Sequence, residues 1–226
     1  TMFAQVANQP SDLVVCDDDN DGFALFDLTV LNAQVLGAQS SIDYTVTYHE
    51  TQTDADNDVN AISSPYTNIV SNVQTIYIRV EDINTDNAAM TTVNLIVNPI
   101  PSPIPSELLP ALTLCDDTNT GDGIEIFDLT ENELIIINGE VGQSVSYYIT
   151  EFDAFSDSNV ISNPTQFSNF TSPQTIYVKV TSDTTGCFAV VNFDIIVNPS
   201  PEVDLGMSEQ NYCGFNSITL EANSPF

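Results

Sequence analysis

Short segments in which apolar and polar residues alternate recur along the whole chain. In YTVTYHE, Tyr44, Val46 and Tyr48 alternate with threonines, which is the period-two pattern of a strand with one buried face. Similar segments are LVVC, FALF, QTIYIRV and TTVNLIV, and each has a counterpart in the second half of the chain. About seven short strands in roughly 90 residues, with turn residues between them, are typical of an immunoglobulin-like β-sandwich.

Helical patterns are few and short. The segment TENEL at 130–134 matches a capping box, with Thr130 as the N-cap and Glu133 three residues later, and predicts one or two helical turns. The segment TDADNDVNAI at 53–62 predicts another short turn. Strands therefore dominate the predicted fold, which is all-β.

The sequence is a tandem repeat. DLVVCDDDNDGFALFDLT matches ALTLCDDTNTGDGIEIFDLT, and QTIYIRV matches QTIYVKV. We therefore predict tandem immunoglobulin-like modules at 11–99 and 110–199, joined by a stiff proline-rich linker at 100–109. Residues 1–10 are a linker or the end of a preceding module, unless the first five are a signal-peptide remnant. Residues 200–226 are predicted to start a third, different β module, which is truncated.

Aspartates crowd the turn after the first predicted strand of the first repeat. Asp17, Asp19 and Asp21 precede Gly22, which matches the first half of a calcium loop of the EF-hand type. Carboxylates at alternate positions of a tight turn can converge on one point, and calcium prefers oxygen ligands. Asp27, in the following strand, would close the shell. Calcium is therefore the predicted cofactor.

The acidic turn persists in the second repeat, although its loop is two residues longer. The predicted ligands there are Asp116, Asn119, Asp122 and Asp128. The alternative is a polar surface turn, because Asp and Asn favour turn conformations without any metal. Repulsion between neighbouring carboxylates favours calcium. A further acidic run at 54–58 loses its spacing in the second repeat and is interpreted as a solvated turn.

The charge of the chain excludes two classes of partner. It has 32 acidic and two basic residues, for a formal net charge of -30. Such a surface repels nucleic-acid phosphates and anionic lipid, so no nucleic acid partner is predicted. Membrane insertion is not predicted either, because no apolar run approaches the length of a membrane span. The hydrophobic fraction of 42% also argues against a disordered acidic tail.

No catalytic motif is recognisable. The chain lacks G-x-S-x-G, H-E-x-x-H and a glycine-rich phosphate loop. The single histidine, His49, aligns with Thr150 or Glu151 of the second repeat and is interpreted as a strand side chain rather than a general base. The prediction is that the chain is not an enzyme but a spacer or a binder.

The four cysteines indicate an oxidising, extracellular setting. Cys115 ends the first predicted strand of the second repeat and Cys187 begins the last, and a disulfide between them would staple the sandwich. The first repeat has Asn87 where Cys187 falls, so Cys16 is either a buried free thiol or bonded elsewhere. Cys213 is expected to pair beyond residue 226.

The segments LVVCDDDNDGFALFDLT, QTIYIRVED and LIVNPIP resemble the tandem repeats of very large secreted surface proteins of Bacteroidota. Those proteins often end in a type IX secretion sorting domain of the gliding-motility-associated kind. The resemblance implies export across the outer membrane and a long stalk or adhesin of many modules. It also implies that the cysteine of the first strand meets one in a GC(F/Y)A segment. The second repeat keeps GCFA at 186–189, whereas the first has DNAA at 86–89.

These observations predict a structural or adhesive region of an extracellular bacterial surface protein: a stalk, fibre or adhesin stiffened by calcium. Its predicted partners are neighbouring modules of the same chain or filament, and also surface glycans or other cells. The alternative is a set of carbohydrate-binding modules attached to a secreted polysaccharide-degrading enzyme. Such modules should show an exposed aromatic platform, and the absence of tryptophan counts against them.

Overall fold

The computed structural model describes residues 5–119 and 121–200. The chain divides into two units. The first contains the residues up to Pro101 together with Thr181–Phe188, and the second contains Ser102–Val180 and the residues from Ala189 onward. The signal-peptide remnant considered at 1–5, the third module predicted at 200–226 and Cys213 lie outside the described residues, apart from Gln5 and Ser200.

Each repeat has six strands. Those of the first repeat are β1 (Leu13–Cys16), β2 (Leu25–Phe26), β3 (Tyr44–His49), β4 (Tyr66–Thr67), β5 (Val73–Asp82) and β6 (Ala88–Asn98). Those of the second repeat are β7 (Leu112–Cys115), β8 (Ile126–Phe127), β9 (Gln143–Tyr148), β10 (Phe167–Ser168), β11 (Gln174–Ser182) and β12 (Phe188–Asn198). The count is below the predicted seven, because the chain turns into helix soon after the short strands β2 and β8.

The strands of each repeat form a four-stranded and a two-stranded sheet. The strand orders are β1-β6-β5-β3 with β2-β4 in the first repeat, and β7-β12-β11-β9 with β8-β10 in the second. β1 runs parallel to β6, with Cys16 opposite Asn98, whereas β5 is antiparallel to both β3 and β6. β7 and β12 are likewise parallel, with Cys115 opposite Asn198. The predicted tandem immunoglobulin-like β-sandwich is confirmed.

Short helices cover part of the second layer of each sandwich. The α-helices are α1 (Asn32–Leu36), α2 (Gln52–Asn57), α3 (Glu133–Ile136) and α4 (Glu151–Ser156), and 3-10 turns at Leu28–Leu31 and Leu129–Asn132 precede α1 and α3. Asp128, rather than the predicted Thr130, is the N-cap of the turn before α3. Its carboxylate accepts the backbone N–H and the hydroxyl of Thr130 at 3.0 and 2.6 Å, so the helical segment begins earlier than the capping-box pattern indicates.

The core of each repeat lies between its long strands and these helical segments. Alternate residues of β5 and β11 are fully buried, as the period-two pattern requires: Ile76, Ile78 and Val80, and Ile176, Val178 and Val180. In the first repeat, Leu28, Leu31 and Val35 pack against them from the helical side, each without exposed surface. Each repeat therefore has its own core. No helix in the described part of the chain is long and apolar enough to cross a membrane.

The proline-rich segment predicted as a linker is bound to the second unit. The Ser102 N–H donates to the Glu140 carboxylate at 3.0 Å, and the Ile104 N–H donates to the Ile136 carbonyl at 3.0 Å. Residues 102–109 therefore line one side of the second repeat. In the first repeat the Asn8 N–H bonds the Val35 carbonyl in the same way, also at 3.0 Å.

Candidate metal loop and inter-repeat disulfide

The loop after β1 folds around the buried carboxylate of Asp17. One of its oxygens accepts the N–H groups of Asp19 and Asn20 at 3.2 and 3.0 Å, and the other accepts that of Gly22 at 2.7 Å. Gly22 has φ +84°, and a Cβ there would lie 2.9 Å from the Cβ of Ser71, so the turn requires glycine. Burial acts to raise the pKa of Asp17, but these N–H bonds outweigh it and the pKa lies below its ordinary value.

Three carboxylates converge in this loop. Oxygens of Asp17, Asp19 and Asp21 lie within 4.8 Å of one another, and no other group of three acidic, histidine or cysteine side chains does so among the described residues. The N–H of Asp21 acts to lower the pKa of Asp19, but burial and the carboxylates of Asp21, Asp18 and Asp17 raise it overall. A bound cation would relieve that repulsion.

The donor set of this loop fits calcium. All three side chains offer hard oxygen atoms, and each carboxylate oxygen has two lone pairs, so accepting an N–H bond does not prevent it from ligating an ion. The N–H bonds also pre-form the loop: Asp19 accepts the N–H of Asp21 at 3.1 Å, and Asp21 accepts that of Phe23 at 2.8 Å. Asp17, Asp19 and Asp21 are therefore the residues that would hold calcium.

Asp27 does not belong to this group. Its carboxylate caps the 3-10 turn before α1, accepting the hydroxyl and N–H of Thr29 at 2.6 and 2.9 Å and the hydroxyl of Ser64 at 2.9 Å. The hydroxyl bonds from Thr29 and Ser64 hold the pKa of Asp27 below its ordinary value. The structure thus gives Asp27 the role of a helix cap in place of the predicted fourth ligand.

In the second repeat the loop after β7 is built around Asp116. One oxygen of this buried carboxylate accepts the N–H groups of Gly121 and Gly123 at 2.7 and 3.3 Å. The other oxygen is buried and has no hydrogen-bond partner among the described residues. The insertion therefore leaves Asp116 with a different set of partners from Asp17.

The other predicted ligands of the second repeat are engaged elsewhere. The Asn119 amide donates to the Asp122 carboxylate at 2.8 Å, and Asp122 also accepts the Ile124 N–H at 2.9 Å. Asp128 caps its helical turn as Asp27 does. These residues form no three-carboxylate group within the part of the loop that the structure describes, which omits Thr120.

Glu125 is the polar residue of this loop that sequence analysis missed. It is 8% exposed, and it accepts the N–H groups of Asp117 and Thr118 and the Thr118 hydroxyl, each at 2.7 Å. The Thr118 hydroxyl and N–H lower the pKa of Glu125 against the effect of burial. The signal available in the sequence was a glutamate inside the apolar segment IEIF, where the first repeat has Ala24.

A disulfide joins Cys16 to Cys187, 171 residues later in the chain, with a Cα–Cα distance of 5.6 Å. The predicted bond between Cys115 and Cys187 is therefore wrong, and Cys115 is an exposed free cysteine. The prediction paired two cysteines at suitable strand ends of one repeat, but connectivity cannot be deduced from sequence alone. Thr181–Phe188, which contains Cys187, groups with the first unit.

His49 ends β3 and is fully buried. Its Nδ1 lies 2.8 Å from the Val59 carbonyl oxygen and its Nε2 lies 2.9 Å from the Thr47 hydroxyl. Because a carbonyl only accepts, Nδ1 carries a proton and donates it to the Val59 carbonyl. β3 and β9 both have six residues and end at His49 and Tyr148, so His49 corresponds to Tyr148 and not to Thr150 or Glu151.

The fold and the bond between repeats define a tandem immunoglobulin-like protein whose successive modules are cross-linked by a disulfide. Residues 12–101 and 111–201 each match the family model described as the Flavobacterium inter-domain disulphide bond domain. The two matches cover more than half of the chain, which therefore belongs to this family. Neighbouring modules of the same chain are accordingly partners of each repeat. No curated protein sequence matches the chain.

Several solved structures of tandem domains resemble the chain weakly. The chimeric titin Z1Z2 carrying a decorin peptide is 12% identical, with 88% of this chain and 100% of that chain covered and a TM-score of 0.27. Human mucin-like protocadherin EC1-2 is 10% identical, with 87% and 100% covered and a TM-score of 0.23. Drosophila N-cadherin EC1-4 is 11% identical, with 96% and 57% covered and a TM-score of 0.23. The fold assignment rests on sheet topology, to which these low scores add nothing.

Proposed function

We propose that this chain is a structural and adhesive repeat region of an extracellular bacterial surface protein, a stalk, fibre or adhesin exported by the type IX route. The observation that carries the proposal is the Cys16–Cys187 bond, which cross-links two successive repeats. Disulfides persist in oxidising compartments outside the cytoplasm. A covalent bond between modules serves a chain whose task is to stay connected.

The distribution of charge supports an exposed location. The two basic side chains, Arg79 and Lys179, are buried and paired with Glu81 and Asp157 respectively. A chain with only two basic residues, both buried in the fold, offers few cleavage sites to trypsin-like proteases. That property suits a protein that works outside the cell.

Cys115 supports a continuing series of such bonds. It lies opposite Asn198 as Cys16 lies opposite Asn98, and the residue after each cysteine donates its N–H to that asparagine carbonyl, at 2.9 and 2.8 Å. The proposal assigns Cys115 the role of Cys16 toward a following repeat. Its partner would be a cysteine placed like Cys187.

In the test, intact cells are treated with a protease that cuts at acidic residues. The released peptides are then mapped without a reductant, so that disulfide-linked peptides stay together. The expected result is release from intact cells, with the Cys16 peptide linked to the Cys187 peptide and the Cys115 peptide linked to another peptide. Protein that is released only after lysis, with all its cysteines reduced, would overturn the proposal.

Calcium is the second part of the proposal: Asp17, Asp19 and Asp21 bind it and stiffen the loop next to Cys16. The test is thermal unfolding with calcium and with a chelator, using wild type and the double variant Asp19→Asn, Asp21→Asn. Asparagine keeps the oxygen that accepts the N–H bond but removes the charge. The matched control is Asp122→Asn in the second repeat.

Calcium should raise the melting temperature of the wild type and of the Asp122→Asn variant, and should raise that of the double variant much less, because asparagine still offers an oxygen ligand but two of the three carboxylate charges are gone. A wild-type melting temperature that is the same in calcium and in chelator would rule out the calcium site. It would leave the disulfide-linked structural role intact.

A specific observation favours carbohydrate binding as a second candidate function. Phe152 and Phe155 are 76% and 56% exposed on α4, where their spacing of three residues places them on one face. The first repeat has Thr53 and Asp56 at these positions. The test is a glycan array with wild type and the Phe152→Ala, Phe155→Ala variant, with Thr53→Ala as control. Sugar binding that only the double phenylalanine variant loses supports this candidate, and an empty array rejects it.

A further inference from the structure

The disulfide changes the path that tension takes along the chain. Cys16 is the last residue of β1, and Cys187 directly precedes β12. A pull applied to the two ends of the chain arrives at Cys16 from the N-terminal side and at Cys187 from the C-terminal side. Because the two sulfur atoms are bonded, the tension passes through that bond, and the polypeptide between the two cysteines carries none of it.

We propose that the Cys16–Cys187 bond is a mechanical bypass that carries tension from repeat to repeat and protects the intervening strands from unfolding by force. The proposal rests on the proposed function, since tension acts on a chain that tethers or adheres. It assigns the bond a role beyond adding stability at rest.

The protected segment contains most of both repeats. Strands β2 to β6 and β7 to β11 all lie between the two cysteines in sequence, and so do the buried residues of β5 and β11. At about 3.5 Å for each extended residue, the 171-residue separation corresponds to roughly 600 Å of chain that tension cannot draw out while the bond is intact.

The strands that do carry tension are the two outside the bonded segment. β1 is held along its whole length by parallel pairing with β6, from Leu13 opposite Leu95 to Cys16 opposite Asn98. β12 has 11 residues and lies between β7 and β11 in its sheet. Extension of the oxidised chain is therefore limited to these strands and the segments beyond them.

Contacts next to Cys16 keep the load-bearing end of β1 in place. The N–H of Asp17 donates to the Asn98 carbonyl at 2.8 Å. The side chain of Asn20 bonds both backbone groups of Ile100, donating to its carbonyl at 3.2 Å and accepting its N–H at 2.9 Å. These hydrogen bonds hold the loop after Cys16 against the residues at the end of β6 and just after it. Cys16, where tension enters the disulfide, is therefore fixed in position.

The experiment is single-molecule pulling on the whole 226-residue chain, held at its two ends, in a Cys115→Ser, Cys213→Ser background that leaves one pair of cysteines. Oxidised molecules should break without the extension steps of the protected segment. The same molecules in a thiol reductant should lengthen by about 600 Å more as the repeats unfold. The matched control, with Cys16→Ser and Cys187→Ser added, should show the long extension without reductant.

Peptide mapping of the pulled sample without reduction shows whether the bond is present. Oxidised molecules that carry the bond and still extend as far as the control would overturn the bypass. Absence of the bond from well-oxidised protein would overturn both the bypass and the observation behind the proposed function. A working bypass in a protein that never reaches the cell surface would leave the inference standing and reject the proposed function alone.

Discussion

The loops after β1 and β7 use different side chains to accept their backbone N–H groups. Both carry backbone N–H groups that the fold withdraws from water. In the first repeat Asp17 alone accepts three of them, from Asp19, Asn20 and Gly22. In the second repeat the loop is two residues longer, and no single carboxylate reaches all of these groups. Asp116 and Glu125 each accept two of the N–H groups.

The base of both loops is the same. A buried asparagine, Asn68 or Asn169, accepts one backbone N–H and donates to two backbone carbonyls. The partners of Asn68 are Ala24, Gly22 and Val70 and those of Asn169 are Glu125, Gly123 and Thr171, all between 2.7 and 3.0 Å. The comparison teaches that the need to satisfy buried N–H groups is kept, while the residues that meet it vary with loop length. A carboxylate that is present in both repeats because it accepts buried N–H groups does not by itself indicate a metal site.

The largest effect is expected where the repeats differ in the core. Leu31 ends the 3-10 turn before α1 and is fully buried, whereas its counterpart Asn132 donates to the Pro110 carbonyl at 2.8 Å. Leu31→Ala should lower the free energy of unfolding by about 3 kcal/mol, because it removes buried methyl groups and leaves a cavity. Denaturant unfolding, with hydrogen exchange to assign the loss to the first repeat, measures it. Val30→Ala, at a 55% exposed position, is the control, and an equal loss in both variants would contradict the prediction.

A smaller effect is expected from removing the second acceptor of the longer loop. Glu125→Ala gives the second repeat the residue that the first has at this position. It leaves the N–H groups of Asp117 and Thr118 without their acceptor. Hydrogen exchange should become faster in the loop at 116–125 and stay unchanged in the loop at 17–22. Glu125→Gln keeps an acceptor oxygen and should restore much of the protection. Equal exchange in wild type and Glu125→Ala would show that another group serves these donors.

The two repeats also differ in the contacts of their single basic side chain, Arg79 in the first and Lys179 in the second. Arg79 donates from Nη1 to the Ala55 carbonyl at 3.2 Å and from Nε to Glu81 at 2.8 Å, whereas Lys179 lies 3.4 Å from an Asp157 oxygen. A lysine has no planar fork, so Arg79→Lys should lose one of these partners and about 1 kcal/mol of stability. Denaturant unfolding measures the loss. The reciprocal variant Lys179→Arg should cost less, and a larger cost there would reverse the interpretation.

The smallest effect concerns pH. The folded-state pKa of Asp27 is lowered by the hydroxyls of Thr29 and Ser64, so its contribution is present above the unfolded pKa, near pH 4, and is lost as pH falls through the folded pKa. Asp27→Asn removes this contribution. Urea unfolding from about pH 6 to about pH 2 should show the gap between wild type and variant shrinking as pH falls. A gap that stays constant would mean that the charge of Asp27 plays no part.

The alternating pattern was sufficient to predict the architecture, because period-two burial is a local property of a strand. It placed the segments of β3, β5 and β6, and the repetition of whole phrases placed the second repeat. The same reasoning overestimated the number of strands. FALF reads as a strand, but only Leu25 and Phe26 are paired before Asp27 caps a helical turn.

The candidate site was less predictable, because it depends on distances between residues far apart in sequence. Alternating aspartates before a glycine correctly located a convergence of Asp17, Asp19 and Asp21. Nothing in the local pattern distinguishes these from Asp27, whose oxygens go to Thr29 and Ser64. The partner of Cys16 lay in the other repeat, where no argument confined to a single module could find it.

The parallel pairing of β1 with β6 has a consequence for how such proteins grow. Cys16 and Asn98 are direct partners, so the cysteine stands beside the place where the polypeptide leaves its sheet, and Cys115 stands beside Asn198 in the same way. A gene segment that encodes one module therefore also encodes a cysteine that lies beside the end of the module's last strand. Duplication of the segment copies this cysteine together with the fold. The first repeat has Asn87 at the position equivalent to Cys187 and still forms the same two sheets, so the sandwich does not depend on a cysteine at that position.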